Sequence, residues 1–293
     1  MAMLKMFTAM ITPYHSDLQV NYTRAGEIAE HLVNTGSDGL VISGTTGESP
    51  VLNKEEKLEL FATVKAKVGN RVEVWAGTGS YDTKASVSLS QDAEKVGVDG
   101  LLVVIPYYNK PSQEGLYQHF KTIAESVSIP IMLYNIPSRT GTNMLPETVA
   151  RLAAIENIVA LKESTGNMEQ LSILKNIVPE SVSIFSGDDS LTLPMLALGA
   201  VGVVSIASHL VGKEIKQMLE YFAVGDVSRA QQLHNYLFPM FKGLFITSNP
   251  IPVKEALNIL GMDVGGFRLP LCNANEGEIT QLKELLSRYH LLK

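Results

Sequence analysis

Eight short apolar runs, rich in β-branched residues, recur along this chain with helix-patterned segments between them. They occupy residues 7–11, 39–42, 72–76, 101–105, 131–134, 158–161, 182–185 and 201–205. Their starts lie roughly 20 to 33 residues apart, the length of one strand–helix unit. The segments between them carry helix ends. Asn53 and Glu56 form a capping box ahead of Leu58 and Leu60, and Pro146 stands at a first helical position ahead of Val149 and Leu152. Gly36-Ser-Asp-Gly39, Gly97-Val-Asp-Gly100 and Gly199-Ala-Val-Gly202 each precede an apolar run. The first glycine of each can end a helix in the left-handed conformation, so one supersecondary unit is used repeatedly.

Strict alternation of strand and helix implies a parallel sheet, either open or closed into a barrel. Closure is favoured on two grounds. Eight units fit before about residue 225, the size of a closed barrel. The run Gly77-Thr-Gly79-Ser-Tyr-Asp82 also lacks the third glycine of a dinucleotide-binding turn. The expected fold is an α/β (β/α)8 TIM barrel over residues 1–224, with residues 225–293 forming an appended C-terminal helical subdomain.

Composition narrows the function classes. With 293 residues, 45% of them hydrophobic, the chain can bury a full core. A formal net charge of −6 argues against a broad nucleic-acid surface, but one arginine or lysine can still hold a small carboxylate. The single cysteine, Cys272, allows no intrachain disulfide and no thiolate metal cluster. The six histidines are scattered without ligand spacing and no Walker motif occurs, so no metal or cofactor is expected. Asp188-Asp189 fits a helix start better than a cation site. Residues 190–212 carry no formal charge and are long enough for a bilayer, but Pro194, Gly199 and Gly202 interrupt them. They read as a buried helix over 191–198 followed by a buried strand, with no membrane partner. Residues 1–14 lack a leader pattern, which makes the cytoplasm the expected compartment.

In a barrel the active site is built at the C-terminal ends of the strands. Those positions hold Thr12, the run Gly44-Thr45-Thr46-Gly47-Glu48, Tyr107-Tyr108, Tyr134-Asn135, Lys162-Glu163, Ser186-Gly187 and Ser205. They form a ring of hydroxyls around one ammonium. Lys162 closes an apolar run, and partial desolvation there favours the neutral amine, which can attack a carbonyl. A lone strand-end lysine also fits the plainer role of marking where a strand meets solvent. Tyr134, one strand earlier at the same height, favours chemistry, because imine formation needs a nearby proton donor and acceptor. Tyr107, Tyr108, Tyr117 and Tyr134 fit core aromatics equally well from spacing alone.

Several longer motifs occur in one order at these strand ends: Gly44-Thr-Thr-Gly-Glu-Ser49, Pro106-Tyr-Tyr-Asn-Lys-Pro-Ser-Gln-Glu-Gly115, Tyr134-Asn-Ile-Pro-Ser-Arg-Thr-Gly141, Lys162-Glu163, Ser186-Gly-Asp-Asp189 and Asn249-Pro-Ile-Pro-Val-Lys254. With them the chain resembles the dihydrodipicolinate synthase/N-acetylneuraminate lyase family of lysine-dependent aldolases, from residue 7 to at least residue 270. The resemblance implies that Lys162 forms an imine with pyruvate, while Thr45 and Thr46 bind the pyruvate carboxylate. It implies that Tyr134 shuttles protons, that Tyr108 reaches into a neighbouring subunit to complete a Thr45–Tyr108–Tyr134 relay, and that Gly187 and Ile206 line the pyruvate pocket. A homotetramer built as a dimer of dimers is implied as well. Arg139 matches a position that clamps the carboxylate of L-aspartate 4-semialdehyde. With Thr45, it favours the branch that makes 4-hydroxy-tetrahydrodipicolinate over aldolases of 2-keto-3-deoxy sugar acids or N-acetylneuraminate. Where lysine-inhibited members bind that amino acid, this chain has Pro50, Lys54, Lys57 and Ala85. Two cations and a missing carboxylate imply weak or absent inhibition by lysine.

Overall fold

The computed structural model describes residues 4–292. Eight parallel strands close into a barrel: β1 (Lys5–Ala9), β2 (Gly39–Ile42), β3 (Glu73–Gly77), β4 (Gly100–Val104), β5 (Ile131–Asn135), β6 (Ile158–Glu163), β7 (Ser183–Ser186) and β8 (Gly202–Ser205). Each strand pairs with the next, and β8 closes on β1 through Lys5–Gly202 and Thr8–Ser205. β1 lies two residues earlier than its apolar run suggests. Beyond Ala9 only Met10 still donates to the sheet, to Val41 O, before the chain turns onto the rim.

Alternation along the strands divides the core in two. Leu40, Ile42, Leu101, Val103, Leu133 and Leu161 pack outward against the helices. Phe7, Val41, Trp75, Leu102, Met132, Ala160 and Phe185 fill the lumen. The floor is aromatic, with Phe7 stacked on Phe185 at 5.2 Å and tilted against Trp75 at 6.0 Å. These rings need room. A Cβ at Gly39 would meet the Phe7 ring at 2.8 Å, and one at Gly100 the Trp75 ring at 2.7 Å. The lumen is therefore plugged below, and any ligand must enter at the strand C-termini.

The helix ends follow the local sequence. Asn53 and Glu56 exchange both capping-box bonds at the start of the helix Lys54–Val68, worth about 1 kcal/mol. Pro146 opens the helix Pro146–Leu152. Gly36, Gly97 and Gly199 all have positive φ, as their place after helices requires. The expected buried helix over 191–198 is instead a 3-10 turn, Asp189–Leu191, followed by the helix Thr192–Ala197. Leu198, just past the helix, is 37% exposed. Asp188 caps the turn through Ser190 N, whereas Asp189 points inward. Among the described residues no helix is long and apolar enough to cross a membrane. Beyond β8 the chain continues as the helices Ser208–Ala223, Val227–Gly243, Ile251–Ile259 and Glu276–Arg288.

Candidate active site

Period-2 alternation sends Met132 and Ala160 into the lumen, so Tyr134 and Lys162, two residues further on, face the same way at its upper end. Register then sets their heights, because Tyr134 pairs directly with Lys162 across β5 and β6. Lys162 Nζ lies 4.2 Å from the Tyr134 ring centroid, and both side chains are about 5% exposed or less. A primary amine with little water around it thus sits against a phenol.

Gly187, just past β7, gives Lys162 its space. A Cβ there would lie 2.9 Å from Lys162 Cε and 1.9 Å from Ser164 Oγ. Tyr134 also lines a cavity of about 210 Å³, together with Thr45, Tyr107, Arg139 and Thr140 among others. Lys162, Thr46, Gly187 and Ile206 do not line it. Lys162 contacts the Tyr134 ring that does line it, Gly187 lies against the Lys162 stem, and Thr46 is buried. Ile206, 7% exposed, is held at the end of β8.

The rim loop at residues 44–48 is pinned from three sides. Thr12 Oγ1 donates to Gly47 O at 2.7 Å. Asn249 Nδ2 donates to Thr46 Oγ1 at 3.0 Å, which leaves the threonine its own proton to donate. Glu48 accepts from Lys254 Nζ at 2.8 Å. Arg139 makes one long bond, from Nη2 to Asn249 O at 3.4 Å, so its guanidinium keeps most of its donors for a ligand.

Behind the lumen-facing pair, Glu163 is buried with Asn135 and Gln170, which donate to it at 3.2 and 3.4 Å. Burial raises its carboxyl above the usual range, opposed by the Thr165, Asn135 and Gln170 bonds. Asp189, also raised by burial, accepts from Ser205 Oγ, Ile206 N and Ala207 N and so fixes the turn after β8. Asp189, Asn249 and Lys254 stand out in the sequence only as members of longer motifs, and Asp189 also as a helix-start residue; the contacts they make here are set by the tertiary structure. Lys254 lies on the buried side of the apolar helix Ile251–Ile259.

The tyrosines part company. Tyr134 belongs to the lumen and Tyr107 to the cavity wall, edge-on to Tyr81 at 5.4 Å. Tyr117 lies under Arg151 at 3.9 Å, outside the site. Tyr108 is not brought to the cavity: its φ is +74° and it is 92% exposed. Near the expected lysine positions, Lys54 pairs with Asp92 at 2.5 Å, a carboxylate it shares with Lys95, and donates to Ser88 at 2.9 Å. Burial lowers the pKa of Lys57, and Ala85 is exposed.

The whole chain has close relatives. It is 59% identical over 289 residues to the 4-hydroxy-tetrahydrodipicolinate synthase of Desulforamulus reducens, covering 98% of each chain. It is 58% identical to the enzyme of that name from Heliobacterium modesticaldum, covering 98% of this chain and 96% of that one. The dihydrodipicolinate synthase structure from Aquifex aeolicus superposes with a TM-score of 0.96 at 46% identity, over 98% of both chains. The lysine-bound enzyme from Cyanidioschyzon merolae gives 0.97 at 43%, over 99% of both. The pattern of the Dihydrodipicolinate synthetase family matches residues 2–289. Barrel, lumen lysine and whole-length likeness agree: the chain belongs to the dihydrodipicolinate synthetase family.

Proposed function

We propose that this chain is a lyase that condenses pyruvate with L-aspartate 4-semialdehyde to give 4-hydroxy-tetrahydrodipicolinate, the first committed step of diaminopimelate and lysine biosynthesis. The observation that carries the reading is the buried contact between Lys162 and Tyr134, whose side chain lines a cavity. The names of the relatives support the same product.

Neutral Lys162 Nζ attacks the pyruvate carbonyl carbon, and water leaves as the imine forms. Thr45 and Thr46 hold the carboxylate through hydroxyl and backbone N–H groups. Loss of a methyl proton turns the imine into an enamine, whose carbon attacks the aldehyde. Tyr134 passes a proton to the new alkoxide, relayed through Thr45 and through Tyr108 of a second copy. Gly187 and Ile206 shape the pyruvate end of the pocket, and Arg139 clamps the semialdehyde carboxylate in bidentate fashion. The substrate's amine then attacks the imine carbon and displaces Lys162, releasing the ring and restoring the free amine. No metal or organic cofactor takes part in this scheme.

Tyr108, exposed at the rim, supports assembly as a homotetramer of tight dimers, in which it completes a neighbour's site. We place the protein in the cytoplasm and treat residues 1–224 as the barrel and 225–293 as its helical subdomain. Borohydride treatment in the presence of pyruvate, followed by peptide mass analysis, tests the reading. A reduced pyruvyl adduct on Lys162 is the expected result. No adduct, or one on another lysine, rejects it.

A further inference from the structure

Lys254 takes no part in the scheme above, yet it is fully buried on a helix more than two hundred residues from the loop it touches. Its ammonium donates to Glu48 Oε1 at 2.8 Å and to Gly266 O at 2.6 Å, and faces the rings of Tyr14 at 4.3 Å and Phe267 at 4.8 Å. Its three N–H groups are thereby accounted for. Both side chains of the ion pair are wholly inaccessible, and Glu48 Oε2 has no partner. Such a pair is a weak source of stability, because desolvating two charges offsets their attraction and apolar residues of the same volume serve as well.

What the pair does hold is a conformation. Glu48 sits at φ +55°, in the left-handed region that residues with a Cβ avoid. Its N–H donates to Thr45 O at 3.1 Å, and Gly47 N and Ser49 N both donate to Gly44 O. Rotation at Glu48 therefore passes directly into Thr45 and Thr46. Further along both segments, Arg268 donates to Glu56 at 2.6 Å and to Val51 O at 3.0 Å, tying down the stretch that follows the rim loop.

We propose that Lys254 is a positioning residue for the first substrate: by anchoring Glu48 it sets the turn at residues 45–48, so that the Thr45 and Thr46 groups face the pyruvate carboxylate. The inference rests on the reading of that loop as the carboxylate site. Lys254 touches neither Lys162 nor Tyr134, so imine chemistry itself is left intact when it is changed.

The test compares the full-length chain with Lys254→Met and with the double variant Glu48→Gln/Lys254→Met, which replaces the ion pair by neutral groups of similar size. Borohydride-trapped adduct on Lys162 is measured against pyruvate concentration, alongside thermal unfolding. In both variants half-saturating pyruvate rises about tenfold, the equivalent of one misplaced hydrogen bond to the carboxylate. The trapping rate at saturating pyruvate stays within about threefold of the parent, since the lysine is not displaced. The double variant recovers much of the melting temperature lost in Lys254→Met but not the pyruvate affinity. A purely structural role predicts instead that affinity returns with stability, and that result overturns the inference. The double variant decides alone if Lys254→Met does not fold. Unchanged half-saturation beside a parent that traps pyruvate overturns this inference only; a parent that traps none overturns the functional reading and this one with it.

Discussion

Replacing Gly187 by alanine tests the placement of Lys162 with a single methyl group. The added carbon would lie 2.9 Å from Lys162 Cε, 3.1 Å from Lys162 Cγ and 1.9 Å from Ser164 Oγ. Ser164 Oγ is buried without a hydrogen-bond partner, so it can rotate away without breaking a bond. The lysine stem has less freedom, being enclosed at 5% exposure with its amine against Tyr134. Carbon atoms pack at about 3.5–4.0 Å, so the stem must retreat by roughly 0.7 Å. A shift near 1 Å in a reacting group costs about a hundredfold in rate, or roughly 2.7 kcal/mol of barrier. Gly187 does not occupy the left-handed region, so alanine brings no backbone strain of its own. The assay is the rate of pyruvate-dependent trapping on Lys162, with melting temperature as the control for folding. Gly187→Ala/Ser164→Ala removes the hydroxyl contact and leaves both lysine contacts, so it remains slow. A single variant within about threefold of the parent, or a double variant restored to it, refutes displacement of the lysine as the cause.

Arg139→Ala lowers kcat/KM for aspartate semialdehyde by about a hundredfold or more while Lys162 still traps pyruvate normally; equal loss of both steps refutes a clamp confined to the second substrate. His209 Nδ1 lies 2.8 Å from Ile206 O and its Nε2 accepts from Ile11 N, which requires the neutral ring, and desolvation holds both His209 and His119 at a pKa of about 4. Below pH 6.5 the unfolded chain binds protons that these folded rings refuse, so their contribution to stability is present above 6.5 and lost as pH falls toward 4. Buried Glu163 and Asp189, raised by desolvation, act in the opposite direction, so the comparison is a difference. The stability advantage of the parent over His119→Gln shrinks by about 2 kcal/mol between pH 7 and pH 5 in denaturant unfolding, and a constant advantage refutes the assignment. Sub-millimolar L-lysine leaves the steady-state rate unchanged. Asp92 is shared between Lys54 and Lys95, so Lys54 and Lys57 both remain cations there and no carboxylate stands at Ala85; clear inhibition in that range contradicts the expectation. Dilution to dissociated chains lowers the condensation rate as Tyr108 leaves its neighbour's site; a concentration-independent specific activity argues against a shared relay.

Local pattern made much of this protein readable. Recurring β-rich runs with capped helices between them specify a strand–helix repeat, because strand alternation, capping boxes and left-handed glycines are short-range effects. Lys162 and Tyr134 stood out for the same reason, as chemistry-bearing residues at the ends of apolar runs. Whether they meet depends on register between β5 and β6, a property of two strands together that neither segment encodes alone. The four tyrosines looked alike in sequence and were separated only by packing, which put one in the lumen, one on the cavity wall, one under an arginine and one in solvent. Asp189 resembles a helix-start residue until the turn after β8 brings three donors to its carboxylate. Glu48 and Lys254 lie 206 positions apart, and only the closed barrel and its returning C-terminal helix bury them against each other. The sequence by itself determined the strand–helix repeat and the lysine at the C-terminal end of the sixth apolar run. The tertiary structure alone decided which of those ends share a cavity and what holds the rim in place, because contacts between distant segments arise from closure of the sheet and not from any local periodicity.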